Sequence, residues 1–540
     1  MPALYDLAFV GSGVSTAFTL LYLVGLLDGA GPPTRPVRAI VFEASGEFWD
    51  GVPYGARSGR GALLISTLRE FIPQERERED FASWLNRHRA EFRSAAGTPD
   101  ASISSRWMHD HAAAIDAGEW DDLYVPRHLF GTYLRERLTG ALDDARARGV
   151  LECDMARSVV VDIQRHGTFH RIRTGSGASI HARRVVLAVG SPPYGGINVP
   201  ADSTDDVCII NRPYEPSLPA NLEKIGERLA VHPGDILIVG SNASALEIIY
   251  NLAGCPRTVD LMRQVIVLAP DGTLPHRINA RGSTASTDLT HLDALATKTT
   301  LTSADILHAV RQDVSQAAAN GVDVGGLYHD ISERIIAAQS RLSQQEREQF
   351  VAVDGVEIGR LQRRAGPEYL DSVEYLMARG QLVIQEGRFM RYLSTREGGP
   401  GCEYRVGADA VGALRAPVSI VVNCTGFQDV ARSTSPLLQN LISNGLCTTN
   451  PSRRGFALNA DFEASPRLHV MGPLVAGNIL GTLGVWHAES CTRIITLSKR
   501  LADVLATDVV SPSPVHPPDR SVLASARLAD VVTTSGGGRP

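Results

Sequence analysis

The feature that most restricts how this chain can fold lies at its start. An apolar strand, Leu7 to Val10, runs into Gly11-Ser12-Gly13, an apolar helix follows from about Val14, and after the loop GAGPPTRP a second apolar strand occupies Val37 to Phe42. Strand, glycine turn, helix and strand in so short a span form a β-α-β unit, the building block of a doubly wound α/β sheet. A second unit begins at Asp235, with strand ILIVG, turn GSNAS, a helix through Leu252 and a further strand from Val265 to Leu268. The chain therefore holds two mononucleotide-binding halves.

Its 540 residues leave room for both halves to build separate cores, and 44% hydrophobic with 21% charged residues excludes a disordered or fibrous chain. A net charge of −6, with both signs mixed along the chain, argues against a nucleic-acid partner. The seven cysteines are odd in number and include no C-x-x-C pair, which fits neither a disulfide framework nor a zinc site and predicts a reducing, cytoplasmic setting. The apolar run Phe18 to Leu27 is too short to span a membrane and follows a glycine turn, so it reads as a buried helix, with no membrane partner expected. Between Thr302 and about Leu361 apolar residues recur at three- and four-residue spacing, which predicts a helical insertion. From Ser511 onward, proline, serine and glycine predict a loose tail.

In the first turn, Gly11, Ser12, Gly13, Val14 and Ser15 allow a tight bend and let a pyrophosphate approach a helix N-terminus, where unpaired N–H groups favour an anion. Thr16 stands where a third glycine is usual. Glu43, just after the second strand, is placed to accept hydrogen bonds from adenosine ribose hydroxyls, and together these features favour a dinucleotide over a plain strand–helix turn. In the second turn, Gly240, Ser241, Asn242 and Ser244, asparagine takes the place of the second glycine, and its tolerance of left-handed backbone angles is the expected reason. The strand that follows ends at Asp271; Arg277 and Arg281 are the nearest cations for an NADPH 2′-phosphate, whereas Asp271 suits NADH, and both choices stand open.

Two other apolar strands run into a glycine, Val185 to Gly190 and Val421 to Phe427, the latter through Thr425 and Gly426. Such ends let a chain cross between domains close to a cofactor; a buried strand with a glycine turn is the simpler alternative. A late stretch, Gly472-Pro473 and then Gly477 to Gly481-Thr482, is read as leading into a helix from Val485 to Leu497, whose N-terminus would suit the flavin edge that gains negative charge on reduction.

These motifs in this order, with Cys424-Thr425-Gly426 in place of alanine-threonine-glycine, resemble the two-dinucleotide-domain flavoproteins, in particular the class B flavin monooxygenases and amine N-hydroxylases. GSNASALE is similar to the N-hydroxylases' GSGQSAAE, with Ser244, Ala245 and Glu247 retained. Gly51-Val52-Pro53-Tyr54-Gly55, Asp80 to Leu85, Tyr124 to Leu134, Gly272 to His276 and Arg363 to Glu368 resemble the bacterial FAD-NAD(P)-binding family, from about Tyr5 to Ala502. The resemblance implies an α/β fold in which an FAD-binding Rossmann-type domain (residues 1–215 and 415–510) receives a second Rossmann-type NAD(P)-binding domain (216–414), itself carrying the helical insertion at about 302–361, with 511–540 as a flexible tail.

The implied cofactors are FAD and NADPH or NADH, and the implied reaction is an NAD(P)H-consuming monooxygenation through a C4a-hydroperoxyflavin that N-hydroxylates a small amine or amino acid with O2. Aspartate N-monooxygenases that make nitrosuccinate belong to the same family, so L-aspartate is the expected substrate. Because the flavin carries the chemistry, the absence of a Ser-His-Asp set, metal cluster or carboxylate pair is unsurprising. His276 and His469 read as structural; His487, beside the late glycine loop, is the candidate catalytic residue. Arg69, Arg363 and Arg364 are candidates for substrate carboxylates, with surface ion pairing the alternative reading. Arg127 is a candidate for the same role and for cofactor binding. A flavin reductase or oxidase, or a dinucleotide sensor with a decayed nicotinamide site at Asn242, remain the alternatives. Nothing in the sequence fixes an oligomeric state.

Overall fold

The computed structural model describes residues 4–31, 35–95, 102–197, 207–278, 288–393, 401–408 and 410–510; the expected tail at 511–540 lies outside the described residues. The first sheet has a parallel run in the order Leu468–Val470, Ser179–Leu187, Leu4–Val10, Val37–Glu43, Leu151–Arg157. Its central strands are apolar on both faces because both are covered, and Leu7, Ala8, Phe9, Ile40 and Val41 are fully buried. Helix Val14–Gly29 buries Phe18, Leu20, Leu23 and Leu27 and packs lengthwise on helix Cys491–Val510. No helix among the described residues is long and apolar enough to cross a membrane.

The second sheet is wholly parallel, in the order Leu382–Glu386, Val265–Ala269, Asp235–Val239, Val418–Asn423, Cys208–Ile210. Two of its strands lie outside the expected boundaries of 216 and 414: Cys208–Ile210 precedes the first, and Val418–Asn423 follows the second. Hydrogen bonding decides this, since Val421 pairs with Leu237 on one side and Ile209 on the other. An antiparallel sheet, Arg388–Leu393, Gly401–Val406 and Ala410–Arg415, shares its core through Tyr392 and Cys402.

The helical insertion has a core of its own, from Leu289 to Ile358. It begins before the expected Thr302 because helix Thr290–Ala294 contributes Leu292 to the same cluster. Thr302 and Asp305 form a reciprocal cap on helix Ser303–Ala319.

The late stretch differs from expectation. Asn478–Leu480 and Leu483–Val485 form a hairpin that turns on Gly481-Thr482, and the closing helix runs from Cys491 to Val510 rather than from Val485 to Leu497. Pairing of Asn478 with Val485 and Leu480 with Leu483 takes the backbone groups that a helix would need.

Candidate active site

Gly11 has φ of 98°, and a Cβ on it would lie 2.3 Å from the Ala188 carbonyl oxygen, so no side chain fits. Gly13 caps helix Val14–Gly29 without any side-chain hydrogen bond to the first turn, which leaves those N–H groups available to an anion. Gly51 presses on the turn from one side, its added Cβ 3.2 Å from the Gly13 Cα; Gly472 presses from the other, 3.0 Å from Ser15 Oγ. Thr16 occupies the third-glycine position by turning its hydroxyl back to donate to the Gly11 carbonyl at 2.6 Å. Buried Ser12 donates through Oγ to Glu43 Oε2 at 2.8 Å, and Ser45 donates to Glu43 Oε1 at 2.7 Å, so Glu43 orders the turn itself. This glycine cradle at an uncapped helix N-terminus fits the pyrophosphate of FAD.

The second turn repeats the construction. Gly240 has φ of 107°, and an added Cβ would lie 2.3 Å from the Cys424 carbonyl oxygen. The two strand ends singled out in the sequence, at Ala188 and Cys424, are thus the walls against which the two glycine turns close. Asn242 does not use left-handed angles: its backbone is extended, at φ −87°, and it serves as N-cap. Its Oδ1 accepts from Ser244 N at 3.1 Å, and its Nδ2 donates to the Cys424 carbonyl at 2.9 Å. The left-handed residue is Gly240, two positions earlier. Ser241 is buried with its Oγ unpartnered. Thr425 Oγ1 donates to Asn423 Oδ1 at 2.8 Å, and Gly426 at φ 97° turns the chain toward Phe427, whose ring lies 4.8 Å from that of Tyr194. The two crossing segments therefore pack on each other.

Comparison with known proteins agrees with this arrangement. Residues 8–192 match the family described as FAD-NAD(P)-binding. An uncharacterised protein of Mycobacterium tuberculosis is 32% identical over 511 residues, spanning 93% of this chain and 95% of its own. The chain belongs to that protein's family. It is an FAD- and NAD(P)-binding protein with two dinucleotide-binding folds. Among solved structures it shares its fold with the reduced ornithine hydroxylase of Pseudomonas aeruginosa (TM-score 0.54, 12% identity, 94% of this chain and 100% of that one). It also matches the ornithine N-hydroxylase of Kutzneria sp. 744 with reduced FAD, NADP+ and L-ornithine (TM-score 0.52, 14% identity, 94% and 100%).

In this FAD-NAD(P)-binding protein most candidate arginines already have acidic partners. Arg69 pairs with Asp121 at 3.1 Å and Asp122 at 3.4 Å, and Arg364 donates to both oxygens of Glu70 while lying 3.9 Å over the Tyr328 ring. Arg363 donates to the Arg360 carbonyl at 3.2 Å and lies 3.6 Å from Asp271. Arg277 is taken by Asp371 and Glu374, both at 2.7 Å, and Arg281 lies outside the described residues. Arg127, expected as a cofactor or substrate contact, is engaged internally: both terminal nitrogens of its buried guanidinium bind Glu247.

Gly481 and Thr482 sit on an exposed hairpin turn, not at a helix N-terminus. Beyond the hairpin, His487 is pushed down to about 4 by burial and by the nearby Arg493, which leaves it neutral near pH 7. His469 donates to the Asp461 carbonyl, and His276 lies in a short strand beside Arg364.

One cation was missed by the sequence reading. Arg493, in the first turn of the closing helix, donates to the His487 carbonyl at 2.7 Å and stacks 4.6 Å from the Trp486 ring centre. No carboxylate pairs with it among the described residues, and burial lowers its pKa. Neighbouring Arg454 is neutralised by Glu489 at 3.0 Å. Trp486 also carries the insertion: an added Cβ on Gly355 would lie 2.8 Å from it, and Phe350 meets it edge-on at 5.4 Å. Arg493 thus stands where the closing helix meets the helical insertion.

Proposed function

We propose that this protein is an FAD-dependent, NAD(P)H-consuming monooxygenase that N-hydroxylates a small amino acid, with L-aspartate, converted towards nitrosuccinate, as its substrate. The observation that carries the reading is the duplicated turn, Gly11 against Ala188 and Gly240 against Cys424, which provides one cradle for each dinucleotide. The whole-chain fold shared with two ornithine hydroxylases, one with reduced FAD, NADP+ and L-ornithine, supports the same reaction class.

Bound FAD would supply the redox chemistry, accepting hydride from the reduced nicotinamide and passing two electrons to O2, of which one atom goes to the substrate nitrogen and the other to water. The chain's own residues bind and orient. Ser12, Glu43 and Ser45 hold the first turn in shape, Asn242 holds the second, and Arg493 offers an unneutralised guanidinium to a substrate carboxylate.

The test is anaerobic mixing of the FAD-loaded protein with NADPH or NADH, followed by aerobic turnover with L-aspartate, L-ornithine, L-lysine and cadaverine in parallel. Flavin bleaching and a hydroxylated product from L-aspartate are expected. Bleaching with hydrogen peroxide as the only oxygen product from every amine would make the protein a reductase or oxidase. Flavin that neither nicotinamide bleaches would leave a dinucleotide sensor.

A further inference from the structure

Arg127 and Glu247 lie 120 residues apart in sequence and meet as a two-pronged ion pair, with side chains 10% and 2% exposed. Arg127 Nη2 donates to Glu247 Oε2 at 2.9 Å, Nη1 donates to Oε1, and the Tyr214 hydroxyl donates to Oε2 as well. Burial opposes a charged guanidinium, and the Glu247 carboxylate more than offsets it, so Arg127 stays charged.

Each partner stands on an element that leads directly to one glycine turn. Arg127 is the first residue of helix Arg127–Ala147. One turn on, Gly131 touches the Tyr54 carbonyl so closely that an added Cβ would lie 2.2 Å from it. Tyr54 ends the short helix Gly51–Tyr54, and Gly51 is the residue that presses on Gly13. On the other side, Glu247 lies in helix Ala243–Ala253, whose N-cap is Asn242. A series of close contacts, tightest at Gly131, therefore runs from the first turn to Arg127, and a single helix runs from Glu247 to the second turn. Tyr369 adds a neighbouring tie, its hydroxyl accepting from Leu63 N at 2.8 Å.

Building on the function proposed above, we infer that Arg127 and Glu247 are positioning residues that fix the nicotinamide turn relative to the flavin turn for hydride transfer. An apolar contact of the same volume would serve stability as well, since a buried ion pair contributes little net stabilisation after desolvation. What the forked pair adds is direction: two parallel hydrogen bonds fix both separation and angle. Hydride transfer depends steeply on that geometry, with a misplacement of about 1 Å costing on the order of 100-fold in rate.

The experiment uses the FAD-loaded full-length protein and three variants: E247Q, which keeps the shape but removes the charge, the apolar pair R127M/E247M, and the exchanged pair R127E/E247R. Flavin content and thermal midpoint are recorded first, then NADP+ affinity, then the limiting rate of anaerobic flavin reduction by NADPH, with dithionite as a reductant that needs no nicotinamide site. In E247Q and R127M/E247M the NADPH-limited rate should fall by at least about tenfold, with NADP+ affinity and the dithionite rate near wild type, and R127E/E247R should recover part of the rate. Should E247Q lose its flavin or fold, the apolar pair provides the same reading.

A flavin-loaded variant that NADPH reduces at the wild-type limiting rate overturns the inference. So does a slowing fully explained by weaker NADP+ binding. Wild-type flavin that neither NADPH nor NADH reduces instead removes the proposed function, and the positioning role with it.

Discussion

Asn242 Nδ2 donates to the Cys424 carbonyl at 2.9 Å, so the residue that replaces the second glycine ties its own turn to the wall opposite. The same side chain caps the second dinucleotide helix through Ser244 N. Asn242→Ala should lose both contacts, at a cost of about 1 to 2 kcal/mol. NADP+ affinity should fall because the turn that receives it loosens, while the flavin content stays at the wild-type level. Calorimetric titration of the FAD-loaded variant with NADP+ measures this, and undiminished affinity would remove Asn242 from the site.

The two first glycines give separable losses. Gly11→Ala places a methyl group 2.3 Å from the Ala188 oxygen, and Gly240→Ala does the same at Cys424. Positive φ alone costs about 1 to 2 kcal/mol for an L-residue, and backbone overlap adds more because neither strand end can retreat without breaking its sheet. Gly11→Ala should purify largely without flavin. Gly240→Ala should retain flavin and lose its reduction by NADPH, with the ratio of flavin to protein absorbance and the bleaching trace as readouts. A flavin-replete Gly11→Ala protein would contradict the placement of FAD at the first turn.

Much of this architecture is legible in the sequence because it depends on local rules. Leu7 to Val10, the glycine turn and Val37 to Phe42 announce a parallel sheet by pattern alone. Partnership is another matter. Val421 reads as an apolar strand running into a glycine, but only hydrogen bonding to Leu237 and Ile209 assigns it to the second sheet. Gly481-Thr482 precedes a helix as expected, but a short hairpin ending at Val485 comes between, and the helix starts only at Cys491. Arg127 looks like a ligand contact in sequence because its partner Glu247 is 120 residues away. Arg493 escaped notice for the converse reason: Glu489 stands four residues before it, where spacing alone would pair the two, but that carboxylate is taken by Arg454.

Acid should destabilise the fold through buried imidazoles. His170 is 1% exposed, both its ring nitrogens lack partners, and burial followed by the charge of Arg165 pushes its pKa from 6.5 down to about 4. The unfolded chain takes up this proton near pH 6.5 and the folded one only near pH 4, so stability is full above pH 6.5 and is lost as the pH falls towards 4. At pH 5 the loss from this residue is about 2 kcal/mol. Urea unfolding at pH 7.5 and pH 5 should show a lower midpoint in acid, with a smaller difference in His170→Leu. A variant as acid-sensitive as the wild type would assign the effect to other groups.

Arg493 provides the sharpest test of substrate class. Its guanidinium is held by the His487 carbonyl and the face of Trp486, neither of which neutralises it, while Arg454 beside it is answered by Glu489 and Arg364 by Glu70. A half-buried guanidinium without a carboxylate is costly to maintain, and a substrate carboxylate would relieve that cost with a charge-assisted, two-pronged bond of about 1.5 to 3 kcal/mol. Arg493→Gln should therefore raise KM for L-aspartate about 10- to 100-fold, in line with that energy, while the rate at which NADPH reduces the flavin in the absence of substrate stays the same. Arg493→Lys keeps the charge but loses the fork, so its KM should fall in between. The decisive comparison is with cadaverine, which has no carboxylate: removing a cation should weaken binding of the dicarboxylate and leave this diamine unaffected or improved. Equal losses for aspartate and cadaverine would mean that Arg493 supports the junction beneath Trp486 rather than recognising a carboxylate.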